Sequence, residues 1–319
     1  MQVFLTGAFG NIGRNTIPRL VERGHRVRAL SHDPRRDRRI ADGFGNAIEV
    51  IEGDVRDRAT MDRAMRDIDC IVHLAFVIPP VAHEQPALAE SVNVSGTRTL
   101  LDAALASERR TRFLFASTLD VYGPTTHLAP PRRVTDPLVE SDNYSGHKIR
   151  CEAMVRESGL THAIFRFADV PPIEIRDPHP IMFEIALDTR IEMIHPHDAG
   201  VAIANGIDCD AIWGGTFHIG GGARCQTTYG EYLGSFLDAM GIGRLPREAF
   251  TTKPYCTDWL DTDESERLLH YQKHTFDDVV RETAALLGWR RPLAKLARPI
   301  VRRAILRMSP WWRAHTRVG

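Results

Sequence analysis

A tyrosine and a lysine stand four residues apart in the stretch "DNYSGHK", where Tyr144 precedes Lys148. On a helix, residues i and i+4 lie on the same face, about one turn apart. A free tyrosine has a pKa of about 10 and is a poor base at neutral pH. A lysine ammonium at ~4 Å contributes about 4 kcal/mol at an effective dielectric of ~20, which would lower that pKa by up to roughly three units. The pair therefore predicts proton transfer by Tyr144, with two ordinary residues on a helix surface as the alternative.

The segment "TGAFGNIG" places Gly7, Gly10 and Gly13 between a predicted first strand and a predicted first helix. Glycine lets the backbone turn tightly and approach a phosphate without a Cβ atom. The helix that follows points its free N–H groups, including those of Asn11 and Ile12, and its positive dipole end at the anion. The spacing is G-x-x-G-x-x-G rather than the G-x-G-x-x-G of the standard dinucleotide fingerprint. We predict that this loop binds dinucleotide phosphates, with a simple tight turn as the minor alternative.

The end of the predicted second strand bears on the choice between NAD and NADP. An acidic residue there binds the ribose 2′-hydroxyl of NAD, whereas a nearby arginine accepts the 2′-phosphate of NADP. The sequence reads "ALSHDPRRDRR", with Ser31 at the position of the acid, His32, Arg35 and Arg36 after it, and Asp33 two residues late. These residues favour NADP over NAD. The alternative is that the arginines are solvated charges in a loop.

Short apolar runs alternate with amphipathic stretches over the first half of the chain. The predicted strands are "QVFLTG", "HRVRAL", "AIEVIEGD", "DCIVHLAF", "TRFLFAST" and "HAIFRFA". The predicted helices are "NIGRNTIPRLVERG", "ATMDRAMRD", "LAESVNVSGTRTLLDAALAS" and the segment that carries Tyr144. This alternation predicts a parallel sheet covered on both faces, a doubly wound α/β fold. Pro18 lies inside the first helix and removes a helical hydrogen bond, so we expect a kink or a local irregularity there.

The pattern changes after residue 168, where "DVPPIEIRDPHPIMF" has four prolines in fifteen residues and predicts a loop. Beyond it, "RIEMIHPHDAGVAIANGI" and "GTFHIGGG" predict a strand, a helix and a strand, and two amphipathic helices follow. We predict a dinucleotide-binding (Rossmann) domain over residues 1–168, with a return strand and helix at about 191–220. Residues 169–190 and 221–288 form a smaller substrate-binding region, and residues 289–319 form a basic amphipathic tail.

Composition disfavours several classes of protein. Lysine plus arginine equals aspartate plus glutamate at 41 each, so no overall field points to nucleic acid. The five cysteines are scattered and fit a reducing cytosol better than a disulfide framework or a zinc site. No signal peptide and no membrane span is evident. His195 and His197 lack a third ligand, so no metal is predicted. We expect a cytoplasmic homodimer.

A series of short motifs runs in order over roughly residues 1 to 288: "TGAFGNIG", "GDVRD" at 53–57, "HLA" at 73–75, "NVSGT" at 93–97, "STLDVYG" at 117–123, "YSGHK" at 144–148, "IHPHDAGVAIA" and "FHIGGG". Their order and spacing resemble the extended short-chain dehydrogenase/reductase family, the NAD(P)-dependent epimerase/dehydratase group. The resemblance implies cofactor roles for residues at matching positions. Asp54 and Val55 would lie beside the adenine, Ala75 would line the cofactor groove, and Asn93 would hold the helix geometry near the active site.

The resemblance also implies a catalytic triad. Thr118 matches its hydroxyl residue and would hydrogen-bond the substrate oxygen. Tyr144 and Lys148 match the catalytic pair, and Lys148 would also hold the nicotinamide ribose. We therefore predict an NADP-dependent oxidoreductase that acts on a carbonyl or a secondary alcohol, a small-molecule substrate. The alternatives are a sugar or nucleotide-sugar epimerase and, from another class, a non-catalytic regulator that senses NADP(H).

Departures from the family pattern bear on the substrate. Dehydratases of this family carry an acidic pair after the triad threonine, whereas this chain has Leu119 and Asp120, which disfavours dehydration. Only about 25 residues separate Phe167 from Ile194, where nucleotide-sugar epimerases have a longer segment. A smaller substrate is therefore expected. Three side chains could still meet an anionic group, or could be solvated at the surface: Arg166, Arg176 and His179.

The end of the chain is purely basic, because no acidic residue follows Glu282. On a helix that begins at Pro299, several apolar residues share one side, opposite Arg302: Ile300, Val301, Ala304, Ile305 and Met308. Trp311 and Trp312 follow. The segment is similar to an interfacial membrane helix, which predicts contact with a membrane surface. The alternative is a helix that docks on its own domain or on a dimer partner.

Overall fold

The computed structural model describes residues 1–290 and 295–318, so residues 291–294 and 319 of the predicted tail lie outside the described residues. The strands in the described residues are β1 (Gln2–Thr6), β2 (Arg26–Ser31), β3 (Ile48–Glu52), β4 (Cys70–His73), β5 (Arg112–Thr118), β6 (His162–Phe167), β7 (Arg190–Glu192), β8 (Thr216–Ile219) and β9 (Gln226–Thr228).

The helices of the Rossmann half are α1 (Asn11–Glu22), α2 (Pro34–Asp42), α3 (Arg58–Ala64), α4 (Val81–Glu84), α5 (Pro86–Glu90), α6 (Gly96–Ala106) and α7 (Asn143–Glu157). Later come α8 (Pro196–Asp208), α9 (Tyr229–Ala239), α10 (Asp263–Leu269), α11 (Phe276–Ala285), α12 (Arg298–Leu306) and α13 (Pro310–Val318). A π-helical turn, Ser91–Ser95, joins α5 to α6.

Within the described part of the chain, the main sheet has seven parallel strands in the order β3-β2-β1-β4-β5-β6-β8. This order confirms the predicted doubly wound α/β fold, with its switch point between β1 and β4. Three neighbouring strands end at the same edge of the sheet, at Thr6, His73 and Thr118. Ligands of such folds bind at this carboxyl edge of the sheet, beside the switch point.

Helices cover both faces of the sheet because each presents one apolar side to it. On one face, Ile17 of α1 and Ile203 of α8 belong to a core cluster with Leu5 of β1. On the other face, residues of α3, α6 and α7 pack together, among them Leu100 and Val155. Burial of apolar side chains on both faces holds the strands in register.

Two local features differ from the sequence prediction. The arginines that the alternative interpretation placed in a loop belong to a helix, α2, whose N-cap Asp33 accepts a hydrogen bond from the backbone N–H of Arg36 and whose first turn contains Pro34. Strand β7 pairs antiparallel with β9 in a separate two-stranded sheet, whereas the sequence grouped it with the dinucleotide-binding domain. Helix α8 and strand β8 do belong to the main layer, and the domain boundaries stay a prediction.

The tail docks on the protein through one side of α12. Ile305 is buried, and Val301 and Met308 pack against the same cluster of the substrate region as Phe250. Ile300 was grouped with these residues by the helical plot but points outward and is 74% exposed. The helix therefore uses most of its apolar side for the protein itself, as the alternative prediction had it. None of the described helices is both long and apolar enough to cross a bilayer.

A buried histidine joins β4 to its neighbours and makes the fold sensitive to acid. His73 Nδ1 lies 2.7 Å from Thr6 Oγ1 and Nε2 lies 2.9 Å from Thr97 Oγ1. Burial lowers the pKa of His73 to about 3. The unfolded chain, with a histidine pKa of about 6.5, binds the proton more readily, so stability is lost as pH falls from 6.5 towards 3.

We therefore expect His73→Gln to remove a pH-dependent part of the free energy of unfolding. The variant loses its hydrogen bonds at every pH but no longer has to keep a histidine neutral. The free energy of unfolding of the variant should lie below that of wild type at about pH 7, and this difference should shrink by about 2 kcal/mol at about pH 5. Urea unfolding at the two pH values measures this difference, and an equal deficit at both would contradict the assignment.

Candidate active site

The glycine loop after β1 is shaped by two close backbone approaches. Gly7 has φ +65°, and a Cβ there would lie 2.8 Å from the backbone nitrogen of Ala75. A Cβ on Gly13 would lie 2.3 Å from the carbonyl oxygen of Gly7. Gly10 is exposed, and its only close neighbour would be that same carbonyl at 3.3 Å. The lack of a Cβ atom at Gly7 and Gly13 thus permits these close backbone contacts, while the exposed Gly10 leaves the start of helix α1 accessible to a ligand.

Helix α1 begins at Asn11 with no side chain capping its first N–H groups, which include that of Ile12. Asn11 Nδ2 donates to the carbonyl of Val170 at 2.8 Å, which ties this turn to the segment after β6. The Oδ1 atom of Asn11 is buried without a hydrogen-bond partner. Open N–H groups at a helix start fit an anionic pyrophosphate. These features support the predicted phosphate loop.

The residues after β2 are arranged around a buried carboxylate. Ser31 Oγ donates to Asp37 Oδ2 at 2.8 Å, and Arg36 Nε donates to Asp37 Oδ1 at 2.9 Å. Ser31 and Asp37 are buried. Arg36 is therefore partly neutralised. Arg35 is exposed and forms no ion pair within the residues that the structure describes. Of the two arginines, Arg35 is the one left to meet a 2′-phosphate.

The residues predicted beside the adenine and the cofactor groove lie along the same edge of the sheet. Arg56 and, more weakly, His32 hold the pKa of the Asp54 carboxyl below its usual range. Val55 is buried against α6. The backbone N–H of Ala75 donates to Thr6 Oγ1 at 3.1 Å, which places it beside Gly7. The structure brings His32 close to Asp54 and brings Ala75 to the glycine loop.

Asn93 lies in the π-helical turn and fixes the neighbouring backbone. Its Oδ1 accepts the N–H of Val77 at 2.7 Å, and its Nδ2 donates to the Val77 carbonyl at 3.0 Å. The same amide lies 3.2 Å from His147 Nδ1, whose Nε2 is 3.0 Å from Glu90. The neutral ring therefore accepts from Asn93 and donates to Glu90, consistent with a pKa that burial lowers. Asn93 thus connects α7 to the segment after β4.

The three predicted catalytic residues come together at the end of β5. Asp142 and Ser145 form a capping box that starts α7 and places Tyr144 in its first turn. The Tyr144 hydroxyl faces the side chain of Thr118, the last residue of β5, and their interaction moderates the rise in the pKa of Tyr144. Lys148, one turn later, is buried and its Nζ donates to the Ala116 carbonyl at 2.5 Å.

In the protein alone, burial opposes the predicted effect of Lys148 on the pKa of Tyr144. The Lys148 Nζ lies 6.0 Å from the centroid of the Tyr144 ring and only 3.6 Å from that of Phe76. Burial raises the pKa of Tyr144 above its ordinary value, and the Asp120 carboxyl adds to the rise. Burial also lowers the pKa of Lys148 to about 7. A tyrosine that resists ionisation suits a site completed by a cationic group, because a nearby positive charge favours the tyrosinate.

Several residues around Tyr144 were not assigned a role by the sequence. Phe76 packs edge-on against the Tyr144 ring, with centroids 5.9 Å apart. Burial, with Asp142 and Asp169 nearby, raises the pKa of Asp120 to about 7. Tyr255 and Cys256 come from a distant loop, and Asp120 contributes to raising the pKa of both. Phe76 follows the "HLA" motif, whereas no local signal marks Tyr255 or Cys256.

Arg166 belongs to the core and not to a substrate site. It is 2% exposed and forms a two-pronged ion pair with Glu152, with contacts of 2.9 Å and 2.7 Å. Neither of its predicted roles, contact with an anionic substrate or solvation at the surface, is correct. Arg176 pairs with Glu174 at the surface, and His179 caps the 3₁₀ turn Pro180–Phe183.

The histidines at the start of α8 gain neighbours from distant residues, so the premise of a missing third ligand is wrong. His195, His274 and Glu282 bring ligand atoms together, and so do His197, Asp198 and His274. Hydrogen bonds occupy several of these atoms. His195 Nδ1 accepts the backbone N–H of His197, so its other nitrogen carries the proton that faces Glu282 at 3.1 Å. His274 Nδ1 lies 2.7 Å from Asp198. We propose no metal here.

Comparison with known proteins places the chain in a family. The model of the NAD dependent epimerase/dehydratase family matches residues 3–170, and the chain belongs to this family of enzymes. The glycan biosynthesis protein Agl12 of Haloferax volcanii is 34% identical over 169 residues, 51% of this chain and 53% of that protein. The UDP-glucose 4-epimerase of Azospirillum brasilense is 29% identical over 166 residues, 51% and 46% of the two chains.

A longer match is the dTDP-glucose 4,6-dehydratase of Streptomyces antibioticus, 28% identical over 278 residues, 76% of this chain and 78% of that protein. The first two relatives are thus matched over only about half of their length. Among solved structures, the dTDP-glucose 4,6-dehydratase DesIV of Streptomyces venezuelae with NAD bound has a TM-score of 0.77 at 23% identity, over 92% of this chain and 98% of that chain. UDP-glucose 4-epimerase of Thermotoga maritima has a TM-score of 0.74 at 19% identity, over 92% and 100%. These structures support the fold.

Proposed function

We propose that this chain is a nicotinamide-dependent oxidoreductase that interconverts a carbonyl and a secondary alcohol. The observation that carries the proposal is the contact of Tyr144 with Thr118, with Lys148 buried one turn along the same helix. The trio lies at the same sheet edge as the open glycine loop. The cofactor, when bound, would supply or accept the hydride, and the residues of this chain would handle the substrate oxygen and its proton.

Thr118, Tyr144 and Lys148 have different roles in this proposal. Thr118 donates or accepts a hydrogen bond at the substrate oxygen and orients it toward Tyr144. The Tyr144 hydroxyl gives its proton to the oxygen in reduction and takes it back in oxidation. Lys148, whose Nζ is held by the Ala116 carbonyl, would stabilise the tyrosinate and hold the ribose. Phe76 keeps water from one side of this ammonium.

The surroundings of Tyr144 favour a small substrate without a diphosphate. Asp120 and Asp142 lie near the reacting hydroxyl, and Arg166 is engaged in the core. The test is a screen of ketones and secondary alcohols that follows the absorbance of the reduced nicotinamide. We expect many turnovers per subunit with at least one compound. Tight cofactor binding without turnover of any compound would instead support a non-catalytic sensor of NADP(H).

The proposed cofactor preference is NADP over NAD, and the exposed, unpaired Arg35 of the described residues supports this residue as its cause. Because Asp37 already pairs with Arg36, Arg35→Ala should weaken NADPH binding by about tenfold and leave NADH binding unchanged. Arg36→Ala is the matched control and should change either affinity by less than about threefold. Calorimetric titration of both cofactors measures these values. Tighter binding of NADH than NADPH by the unmodified protein would overturn the preference.

Epimerisation is the second candidate. Relatives of the chain are named UDP-glucose 4-epimerases, and Asp120, with a pKa of about 7, stands beside Tyr144 as a further acid or base. An epimerase oxidises its substrate and reduces it again at the same site, so it forms no net reduced nicotinamide. Inversion of a purified alcohol without accumulation of reduced cofactor would favour this candidate over the first.

We also propose that the protein works as a cytoplasmic homodimer. Apolar side chains are exposed next to α4 and α5, including Ile78 at 57% and Leu88 at 38%. A matching patch on a second copy would cover them with the symmetry usual for dimers. Light scattering of the purified chain measures the mass directly, and a monomer at micromolar concentration would contradict this proposal.

A further inference from the structure

An outward-facing surface at the end of the chain combines large apolar side chains with arginines. Leu296 and Ile300 are 79% and 74% exposed. Arg303 is exposed on the same helix as Ile300, and Arg307, also exposed, directly follows the last residue of that helix. Positions 296, 300, 303 and 307 follow helical spacing and lie along one stripe. We call these four residues the tail patch. Exposed apolar side chains of this size, clustered together, are unusual on a soluble surface and mark interaction sites.

The opposite side of α12 holds the tail patch in place. Ile305 is 2% exposed within the substrate region. The Ser309 hydroxyl donates to the Ala249 carbonyl at 2.6 Å, and Arg302 Nη1 donates to the Gly243 carbonyl at 2.8 Å. The helix is therefore anchored by buried contacts. The tail patch faces away from these anchors, so its exposure does not come from a loosely attached helix.

The surface beside the tail patch is strongly positive. A cavity of about 550 Å³ opens between α12 and α13, and its lining includes five arginines and a tryptophan: Arg298, Arg302, Arg303, Arg307, Arg313 and Trp312. No carboxylate side chain lines it, and the chain has no acidic residue after Glu282. Several guanidinium groups around one cavity create a potential that attracts anions with several oxygens, such as phosphate groups.

We propose that the tail patch docks the protein on the surface of a bilayer that contains anionic phospholipids. Leu296 and Ile300 would enter the boundary between headgroups and acyl chains, while Arg303 and Arg307 would meet lipid phosphates. A second copy of the chain fits less well, because a symmetric contact would set the arginines of one patch against those of the other. A nucleic acid would satisfy the arginines but leave the two apolar side chains in water.

The test uses the full-length protein and vesicles of defined composition. Cosedimentation is measured with phosphatidylcholine vesicles that contain about one third phosphatidylglycerol, and with pure phosphatidylcholine vesicles. We expect binding to the anionic vesicles only, with clear loss when salt rises from about 0.1 M to about 0.5 M. Arg303→Gln with Arg307→Gln should weaken binding about twentyfold, and Ile300→Ser should weaken it severalfold at constant charge.

Matched controls remove the same groups elsewhere on the surface. Arg66→Gln with Arg110→Gln deletes two exposed arginines far along the chain from the tail patch, and Leu105→Ser deletes a leucine that is 52% exposed. Both should bind vesicles as wild type does. The proposal is overturned if wild type ignores anionic vesicles, binds both compositions equally, or binds unchanged when the tail patch is altered. A drop in oligomer mass for Ile300→Ser, without a change in vesicle binding, would assign the patch to a subunit contact instead.

Discussion

Tyr144→Phe should abolish turnover and leave cofactor binding almost intact. The substitution removes only the hydroxyl that contacts Thr118 and keeps the ring that packs against Phe76. Without that hydroxyl the proposed proton donor to the substrate oxygen is lost, so kcat should fall by at least about a thousandfold. The glycine loop is untouched, so the NADPH dissociation constant should change by less than about threefold.

The matched control is Tyr271→Phe, which removes the same atom from a tyrosine outside the cleft. The Tyr271 hydroxyl is buried and contacts Ser265 at 3.0 Å. We expect its loss to lower the free energy of unfolding by about 1 kcal/mol and to leave kcat within about twofold of wild type. Equal kcat for Tyr144→Phe and wild type would remove Tyr144 from the chemistry.

The second large effect is on stability and concerns Arg166 and Glu152. Their ion pair is buried, and Ser117 adds a hydrogen bond to the same carboxylate at 2.5 Å. Arg166→Met would leave the Glu152 charge buried without its main partner, so the free energy of unfolding should fall by about 3–5 kcal/mol. Adding Glu152→Met should restore much of this loss, because two apolar side chains replace the pair.

Arg176→Gln is the control for this prediction, since the same two roles were predicted for both arginines. Arg176 pairs with Glu174 at the surface, where side chains are about half exposed. Its replacement should change the free energy of unfolding by less than about 0.5 kcal/mol. Denaturant unfolding of the three variants measures the contrast. Similar stability of Arg166→Met and wild type would mean that the buried pair contributes nothing.

The sequence predicted those parts of the site that are formed by residues close together along the chain. The glycines after β1 were readable because a strand must turn sharply into a helix there, and Gly13 is indeed packed against the Gly7 carbonyl. Tyr144 and Lys148 were readable because helical spacing alone places them on one face. Helix α2 was missed although Asp33 and Pro34 are ordinary signals of a helix start, because the run of arginines was interpreted only through its charge, as a partner of the cofactor or as solvated loop residues.

Other features depend on contacts between distant segments, which spacing does not report. Arg166 finds Glu152 across a strand and a helix, and His274 reaches the histidines of α8 from more than seventy positions away. The helical plot also did not determine which apolar residues of α12 pack on the protein and which face outward. Ile305 and Ile300 are equally apolar, and only packing on the substrate region buries one and exposes the other.

The most direct test of the proposed oxidoreductase follows the hydrogen that is transferred. A substrate would be identified first by mass spectrometry of small molecules that copurify with the protein. The reaction is then run with NADPH that carries deuterium at both hydrogen positions of nicotinamide C4, and the product is analysed by mass spectrometry. The proposal predicts deuterium on the carbinol carbon of the product with wild type and no labelled product with Tyr144→Phe. Product that forms without deuterium would contradict hydride transfer from the cofactor.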